Sequence, residues 1–123
     1  MIPVKERRAI LVVEDESLLR WRAMDVVEEA GFAALEASNA DDALRILAAH
    51  SDIKALFTDI NMPGTLDGLE LAQFVHDRYP DIKLIITSGK AAPSGDEIPE
   101  DGVFLPKPYS TADVARYLEN VVV

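Results

Sequence analysis

ILVVED, residues 10–15, is the first of three short apolar runs that lead directly into a charged residue, and ALFTD (55–59) and VFLPKP (103–108) are the other two. A continuous apolar run of this length is typical of a parallel strand that is buried on both faces. In an open α/β sheet, ligands bind outside the carboxyl ends of such strands. The three runs therefore predict a site at one sheet edge, made of three carboxylates and one lysine: Glu14, Asp15, Asp59 and Lys107.

The chain has 123 residues, 49% of them hydrophobic, which is enough for one substantial core. We therefore expect a single domain over residues 1–123 with no effector domain. No apolar run approaches the roughly 20 residues that a membrane helix needs, and the first residues lack the apolar segment of a signal peptide. These features predict a cytoplasmic protein.

The net charge and the absence of cysteine exclude several kinds of function. The net charge of −10 would repel nucleic acid and anionic membranes, so we expect direct binding to neither. A chain without cysteine forms no disulfide, thiolate nucleophile or cysteine-based zinc site.

Strand-like and helix-like segments alternate along the chain. Strands are predicted at residues 10–13, 32–37, 55–59 and 82–87, with a short fifth strand from Val103. Asn39 is a predicted helix N-cap, the third helix must end before Pro80, and Ser110 opens the last helix. Five strands that alternate with helices predict an α/β, doubly wound parallel sheet with right-handed crossovers.

One segment breaks this alternation. Residues 90–102 should hold the fourth helix, but Pro93, Gly95 and Pro99 interrupt it, and a proline in a helix interior costs about 3 kcal/mol. We expect a loop or at most one helical turn, so that helix 4 is degenerate or replaced by a loop.

The predicted cluster of carboxylates indicates a metal site. Like charges 4 Å apart repel by about 4 kcal/mol at an effective dielectric constant of 20, and one lysine cannot neutralise three carboxylates. Mg²⁺ prefers oxygen ligands and keeps coordination positions for water and a phosphate oxygen. The sequence therefore predicts a site for Mg²⁺ and a phosphoryl group.

The motifs at the strand ends resemble the receiver domain of two-component response regulators. The resemblance covers nearly the whole chain and is carried by Glu14–Asp15, Asp59, Asn61–Gly64, Ser88–Gly89 and Lys107–Pro108. It implies a flavodoxin-like (βα)5 fold with strand order 2-1-3-4-5. It also implies a phosphorelay function, in which a sensor histidine kinase or a histidine phosphotransfer protein donates the phosphoryl group and a downstream protein responds.

The resemblance assigns the acceptor and the metal ligands. Asp59 would accept the phosphoryl group and bind Mg²⁺, which Asp15 would also bind directly. Glu14 would act through a metal-bound water, and the backbone carbonyl of Asn61 would supply another ligand. Lys107 would pair with Asp59 before phosphorylation and with the phosphoryl group afterwards.

The resemblance also assigns a switch. Ser88 would turn its hydroxyl toward a phosphoryl oxygen, and the ring of Phe104 would follow it inward. Strand alternation and the following Gly89 favour Ser88 over its neighbour Thr87 for this role. For Trp21 we expect partial packing under a neighbouring side chain, with a contact to a partner as the alternative.

Departures from the family pattern leave the output open. Glu14 stands where many receivers have aspartate, Thr65 is a one-residue insertion, and the interrupted helix 4 puts in doubt an output through helix 4, strand 5 and helix 5.

The chain could be a stand-alone receiver or part of a longer hybrid kinase. A regulator that assists only its own phosphorylation and dephosphorylation is expected rather than an enzyme. A pseudo-receiver that only binds proteins is the alternative.

Overall fold

The structure is a computed structural model that describes residues 8–62, 64, 66–89, 93, 97–99 and 102–121. Its strands are β1 (Ala9–Val13), β2 (Ala33–Ala37), β3 (Ile53–Asp59), β4 (Lys83–Ser88) and β5 (Gly102–Pro106). Its helices are α1 (Ser17–Glu29), α2 (Ala40–Ala49), α3 (Gly68–Arg78) and α4 (Thr111–Val121). The element order alternates as predicted up to β4.

The five strands form one parallel sheet in the order β2-β1-β3-β4-β5, which confirms the predicted flavodoxin-like topology. The strand ends lie side by side, since Asp59 pairs with Thr87 and Ser88 pairs with Pro106 in the register. The residues that follow β1, β3 and β5 therefore meet at one edge, as the apolar runs predicted.

Alternating side chains of the strands build a core on each face of the sheet. Leu11, Leu56 and Ile86 pack on the face covered by α2 and α3. Ile10 and Phe57 pack on the opposite face, under α1 and α4. Because both faces are covered, the central strands are apolar at nearly every position, and this is why they read as continuous runs.

The helix starts follow from local hydrogen bonds. Asn39 caps α2 as predicted, since its side chain accepts a hydrogen bond of 2.8 Å from the backbone N–H of Asp42. Helix α3 begins with a capping box in which Asp67 and Glu70 each accept a hydrogen bond from the other's backbone N–H. Such caps stabilise a helix by about 1 kcal/mol and here place α3 directly behind the end of β3.

Two predictions meet different outcomes. The prediction of a loop in place of a helix between β4 and β5 falls on residues 90–102, most of which lie outside the described residues. The prediction that Trp21 is partly packed is wrong, because its side chain is 65% exposed on α1. None of the helices within the described ranges is both long and apolar enough to cross a membrane.

Candidate functional site

Three carboxylates meet at the carboxyl edge of β1 and β3. Glu14 and Asp15 follow β1, Asp59 ends β3, and one carboxylate oxygen from each lies within 4.8 Å of the other two. Glu14 and Asp59 are buried, whereas Asp15 is exposed. The structure thus brings together the three acidic residues that the strand ends predicted.

Lys107, just after β5, faces this cluster. Its ammonium group donates a hydrogen bond of 3.0 Å to Oε1 of Glu14 and lies 3.4 Å from Oδ2 of Asp59. Its backbone N–H donates to the carbonyl oxygen of Ser88, which ties it to the end of β4. The lysine therefore bridges two buried carboxylates, with the shorter contact to Glu14.

Burial and neighbouring charges shift the pKa values of this pair. Burial raises the pKa of Glu14 above its ordinary value, Asp15 and Asp59 raise it further, and Lys107 opposes the rise. Burial alone would lower the pKa of Lys107, but the hydrogen bond to Glu14 and the charge of Asp59 outweigh it, so this pKa is raised. The lysine therefore stays charged at neutral pH.

The acidic cluster fits a small divalent cation. Two ligands of an octahedral Mg²⁺ lie about 3 to 4 Å apart, given metal–oxygen distances of roughly 2.1 Å, and the three carboxylate oxygens lie within 4.8 Å of one another. Oδ1 of Asp59 is buried and accepts no hydrogen bond from any residue that the structure describes. A buried carboxylate oxygen without a partner is costly, and a bound cation would satisfy it.

The residues at the end of β4 lie beside Asp59. Oγ of Ser88 accepts a hydrogen bond of 3.1 Å from the side-chain amide of Asn61. Oγ1 of Thr87 is buried, with no hydrogen-bond partner in the described part of the chain. Phe104 is half-buried and packs on the core under α2 and α3, the face to which Ser88 belongs by strand alternation. The choice of Ser88 as switch hydroxyl stays a prediction.

Sequence reasoning missed the close packing of Gly68 behind the acceptor strand. Gly68 is the first residue of α3, and its N–H donates a 2.8 Å hydrogen bond to the carbonyl of Ile60. A Cβ at this position would overlap the carbonyl oxygen of Asp59 and lie 2.7 Å from its carbonyl carbon. The glycine thus allows α3 to pack directly against the backbone of Asp59. The position of Gly68 next to the N-cap residue Asp67 is the sequence signal that could have revealed this packing.

An apolar surface adjoins the acidic edge. On α1 the side chains of Leu18 and Trp21 are 70% and 65% exposed, and Leu19 is 36% exposed. Leu19 also lines a cavity of 230 Å³ together with Arg22 and the segment from Lys107 to Tyr109. The Lys107–Pro108 peptide bond in this segment is cis. The cavity therefore places exposed apolar groups next to the lysine of the site.

Comparisons with known proteins agree on the family. Residues 10–119 match the family model described as response regulator receiver domain. The chain is 31% identical over 120 residues to the response regulator receiver protein CpdR of Brucella abortus, covering 94% of this chain and 98% of CpdR. It is 30% identical over 117 residues to the sensor kinase CckA of the same organism, covering 92% of this chain but only 12% of the kinase. A receiver domain structure from Clostridium thermocellum superposes with a TM-score of 0.80 at 26% identity, over 94% of both chains.

Proposed function

The chain belongs to the response regulator receiver domain family, and on that premise we propose that Asp59 accepts a phosphoryl group from a phosphohistidine. The donor is a sensor histidine kinase or a histidine phosphotransfer protein. Phosphorylation then changes a protein-interaction surface or passes the phosphoryl group on. One observation carries the proposal: a buried aspartate at the end of the central strand β3 lies beside two further carboxylates and one lysine.

The ligands for Mg²⁺ are the residues that surround the acceptor. Asp15 and Asp59 would hold it directly, Glu14 would hold it through a water molecule, and the backbone carbonyl of Asn61 would complete the protein set. The unpartnered Oδ1 of Asp59 and the spacing of the carboxylates support this assignment. Bound Mg²⁺ neutralises negative charge on the phosphoryl oxygens during transfer.

The transfer itself needs few protein groups. A carboxylate oxygen of Asp59 attacks the phosphorus atom, the new P–O bond forms as the P–N bond breaks, and the leaving imidazole takes up a proton. Lys107 already lies 3.4 Å from Oδ2 of Asp59 and can follow the charge onto the phosphoryl group. Water later attacks the phosphorus and regenerates the carboxylate and inorganic phosphate. The protein assists only this reaction at its own Asp59 and acts on no external substrate.

The hydroxyl of Ser88 carries the signal away from the site. It donates a hydrogen bond to a phosphoryl oxygen, and the half-buried ring of Phe104 moves inward beside it. The present 3.1 Å bond supports this role, because Oγ of Ser88 accepts it from the Asn61 amide and the bond does not use the hydroxyl hydrogen. A small change of hydrogen bonds thereby biases a surface between two states.

The apolar surface on α1 is the docking site for the phosphoryl donor. It consists of Leu18, Leu19 and Trp21, and the cavity beside Lys107 continues it toward the acceptor. Exposed apolar groups next to the site would bind a protein helix, while the net charge of −10 argues against nucleic acid or an anionic membrane. We propose that the protein works in the cytoplasm, where it also contacts a downstream protein target.

The mode of output has two forms. The nearly complete overlap with CpdR favours the output of a stand-alone receiver, and the similarity to a small part of a kinase favours that of a receiver within a hybrid protein. A pseudo-receiver, which uses the fold only to bind proteins, is the second candidate. The intact acceptor and lysine favour phosphorylation over that alternative.

Thermal melting with Mg²⁺ and beryllofluoride, a phosphoryl mimic, tests the proposal. The wild type should gain stability, since a ligand that binds only the native state raises the melting temperature, and Asp59→Asn should gain none. Asp25→Asn, an exposed acidic residue on α1, is the matched control and should respond like the wild type. No response from the wild type would favour the pseudo-receiver.

A further inference from the structure

Arg20, on the second turn of α1, joins the loop after β1 to the neighbouring strand β2. Its Nη1 donates a hydrogen bond of 2.9 Å to the backbone carbonyl of Glu14. Its Nε forms an ion pair of 2.9 Å with Oε1 of Glu36 on β2. The side chain is only 17% exposed, so the guanidinium is held between two partners rather than extended into solvent.

The other hydrogen bonds of this loop are made by groups other than the Glu14 carbonyl. Glu16 is the N-cap residue of α1 but its side chain makes no capping hydrogen bond, and the first turn of this helix contains no acidic residue. The N–H of Glu14 donates to Ala37, and the Glu14 carboxylate accepts from the N–H of Glu16 and from Lys107. Within the described residues, Arg20 therefore supplies the hydrogen bond that holds the Glu14 carbonyl.

The Glu14 carbonyl, to which Arg20 donates, affects the orientation of Asp15. It belongs to the peptide unit that joins Glu14 to Asp15, and that unit is planar. A donor fixed on its oxygen restricts the rotation of the plane, and the plane sets the direction in which the Asp15 side chain leaves the backbone. Asp15 is exposed, and the side chain at hydrogen-bond distance from its carboxylate is the Glu14 carboxylate, which repels it when both are charged. Its orientation thus depends on the backbone.

We propose that Arg20 is a positioning residue that orients Asp15 for Mg²⁺ binding by clamping the Glu14–Asp15 peptide to Glu36 on β2. The inference rests on the proposed function, because it requires that the carboxylate cluster binds Mg²⁺. It assigns a role to a residue that touches neither the cation nor the phosphoryl group. Groups that orient metal ligands in this way typically change metal affinity by 10- to 100-fold when they are removed.

If Arg20 acted only through its charge, its removal would change Mg²⁺ affinity in the opposite direction. Arg20 carries a positive charge next to a cation site, so its loss would strengthen Mg²⁺ binding if the effect were only electrostatic. Loss of a positioning contact weakens binding instead. Arg20→Lys separates the two effects further, because lysine keeps the charge but cannot donate two bonds from a rigid planar fork.

The experiment is calorimetric titration of the full chain with Mg²⁺ alone, at a temperature where circular dichroism shows every variant folded. Arg20→Gln should weaken binding by about 10-fold and Arg20→Lys by roughly 3- to 10-fold. Arg45→Gln is the matched control, because Arg45 pairs with Asp42 on α2 at the same surface and is 75% exposed. It should bind Mg²⁺ as the wild type does.

The outcomes are distinct. Unchanged or tighter binding by Arg20→Gln, with the wild type binding normally, would overturn the role of Arg20 and leave the proposed function intact. Unchanged binding by Arg20→Lys would also overturn it, since Mg²⁺ binding would then not need the two hydrogen bonds of the guanidinium. Absence of Mg²⁺ binding by the wild type would overturn the proposed function and the positioning role with it.

Discussion

Replacing Asp15 with asparagine should make the metal-free protein more stable. The Asp15 carboxylate lies within 4.8 Å of carboxylate oxygens of Glu14 and Asp59, and the contacts that the structure describes give it no compensating cation. Lys107 pairs with the other two carboxylates. Asparagine has nearly the same shape, so the substitution removes repulsion without removing an ion pair.

The magnitude follows from the spacing and the exposure. Two unit charges 4.8 Å apart repel by about 3.5 kcal/mol at an effective dielectric constant of 20 and by about 0.9 kcal/mol in water. Asp15 is exposed and Lys107 already offsets part of the negative charge, so values near the aqueous limit apply. We expect the free energy of unfolding to rise by about 1 kcal/mol, and less in high salt because screening weakens the repulsion.

Urea unfolding with and without EDTA measures this effect. In EDTA, Asp15→Asn should have the higher unfolding midpoint, and in millimolar Mg²⁺ the order should reverse because only the wild type gains the full binding energy. Asp25→Asn is the control, since the eight residue steps of α1 from Ser17 to Asp25 span roughly 12 Å and exceed the Debye length. A metal-free Asp15→Asn protein that is less stable than the wild type would refute the reasoning.

Two further predictions concern the support of the site. Lys107→Met should lower the free energy of unfolding by about 3 kcal/mol at neutral pH, because two buried carboxylates lose their cation. The pKa of Glu14 in the folded state is raised, so this loss of stability should shrink as the pH falls toward the ordinary pKa of glutamate. Urea titrations at several pH values measure it, and a loss of stability that grows at lower pH would contradict the account. Gly68→Ala should destabilise by about 2 to 3 kcal/mol, because its Cβ meets the rigid backbone of Asp59. Gly89→Ala, with open space around its Cβ, should cost less than about 1 kcal/mol, and equal midpoints for the two variants in urea would disprove the packing argument.

Much of the fold could be predicted because its signals are local. Each central strand is apolar on both faces, and β1 and β3 are each followed by a helix with a period of 3.6 residues, so alternation and burial already specify a doubly wound sheet. The site followed from the same pattern, since parallel strands end at one edge. Glu14, Asp15, Asp59 and Lys107 are close together for that reason alone.

Side-chain partners could not be predicted in the same way. Lys107 and Glu14 are 93 positions apart, and only the packed structure decides that the lysine reaches Glu14 at a shorter distance than Asp59. The clamp from Arg20 to a backbone carbonyl leaves no pattern in the sequence, because carbonyls are present at every residue. Trp21 was expected to be partly packed, and its exposure depends on which face of α1 meets the sheet.

Phosphorylation of the acceptor is the measurement that tests the central claim most directly. The purified protein is incubated with Mg²⁺ and a small-molecule phosphodonor such as acetyl phosphate, and intact mass spectrometry followed by peptide mapping locates the product. The account predicts one added phosphoryl group per chain, on the peptide that contains Asp59, with none in EDTA or in Asp59→Asn. A phosphoryl group on another residue, or an unmodified wild type beside a receiver that is phosphorylated under the same conditions, would contradict it.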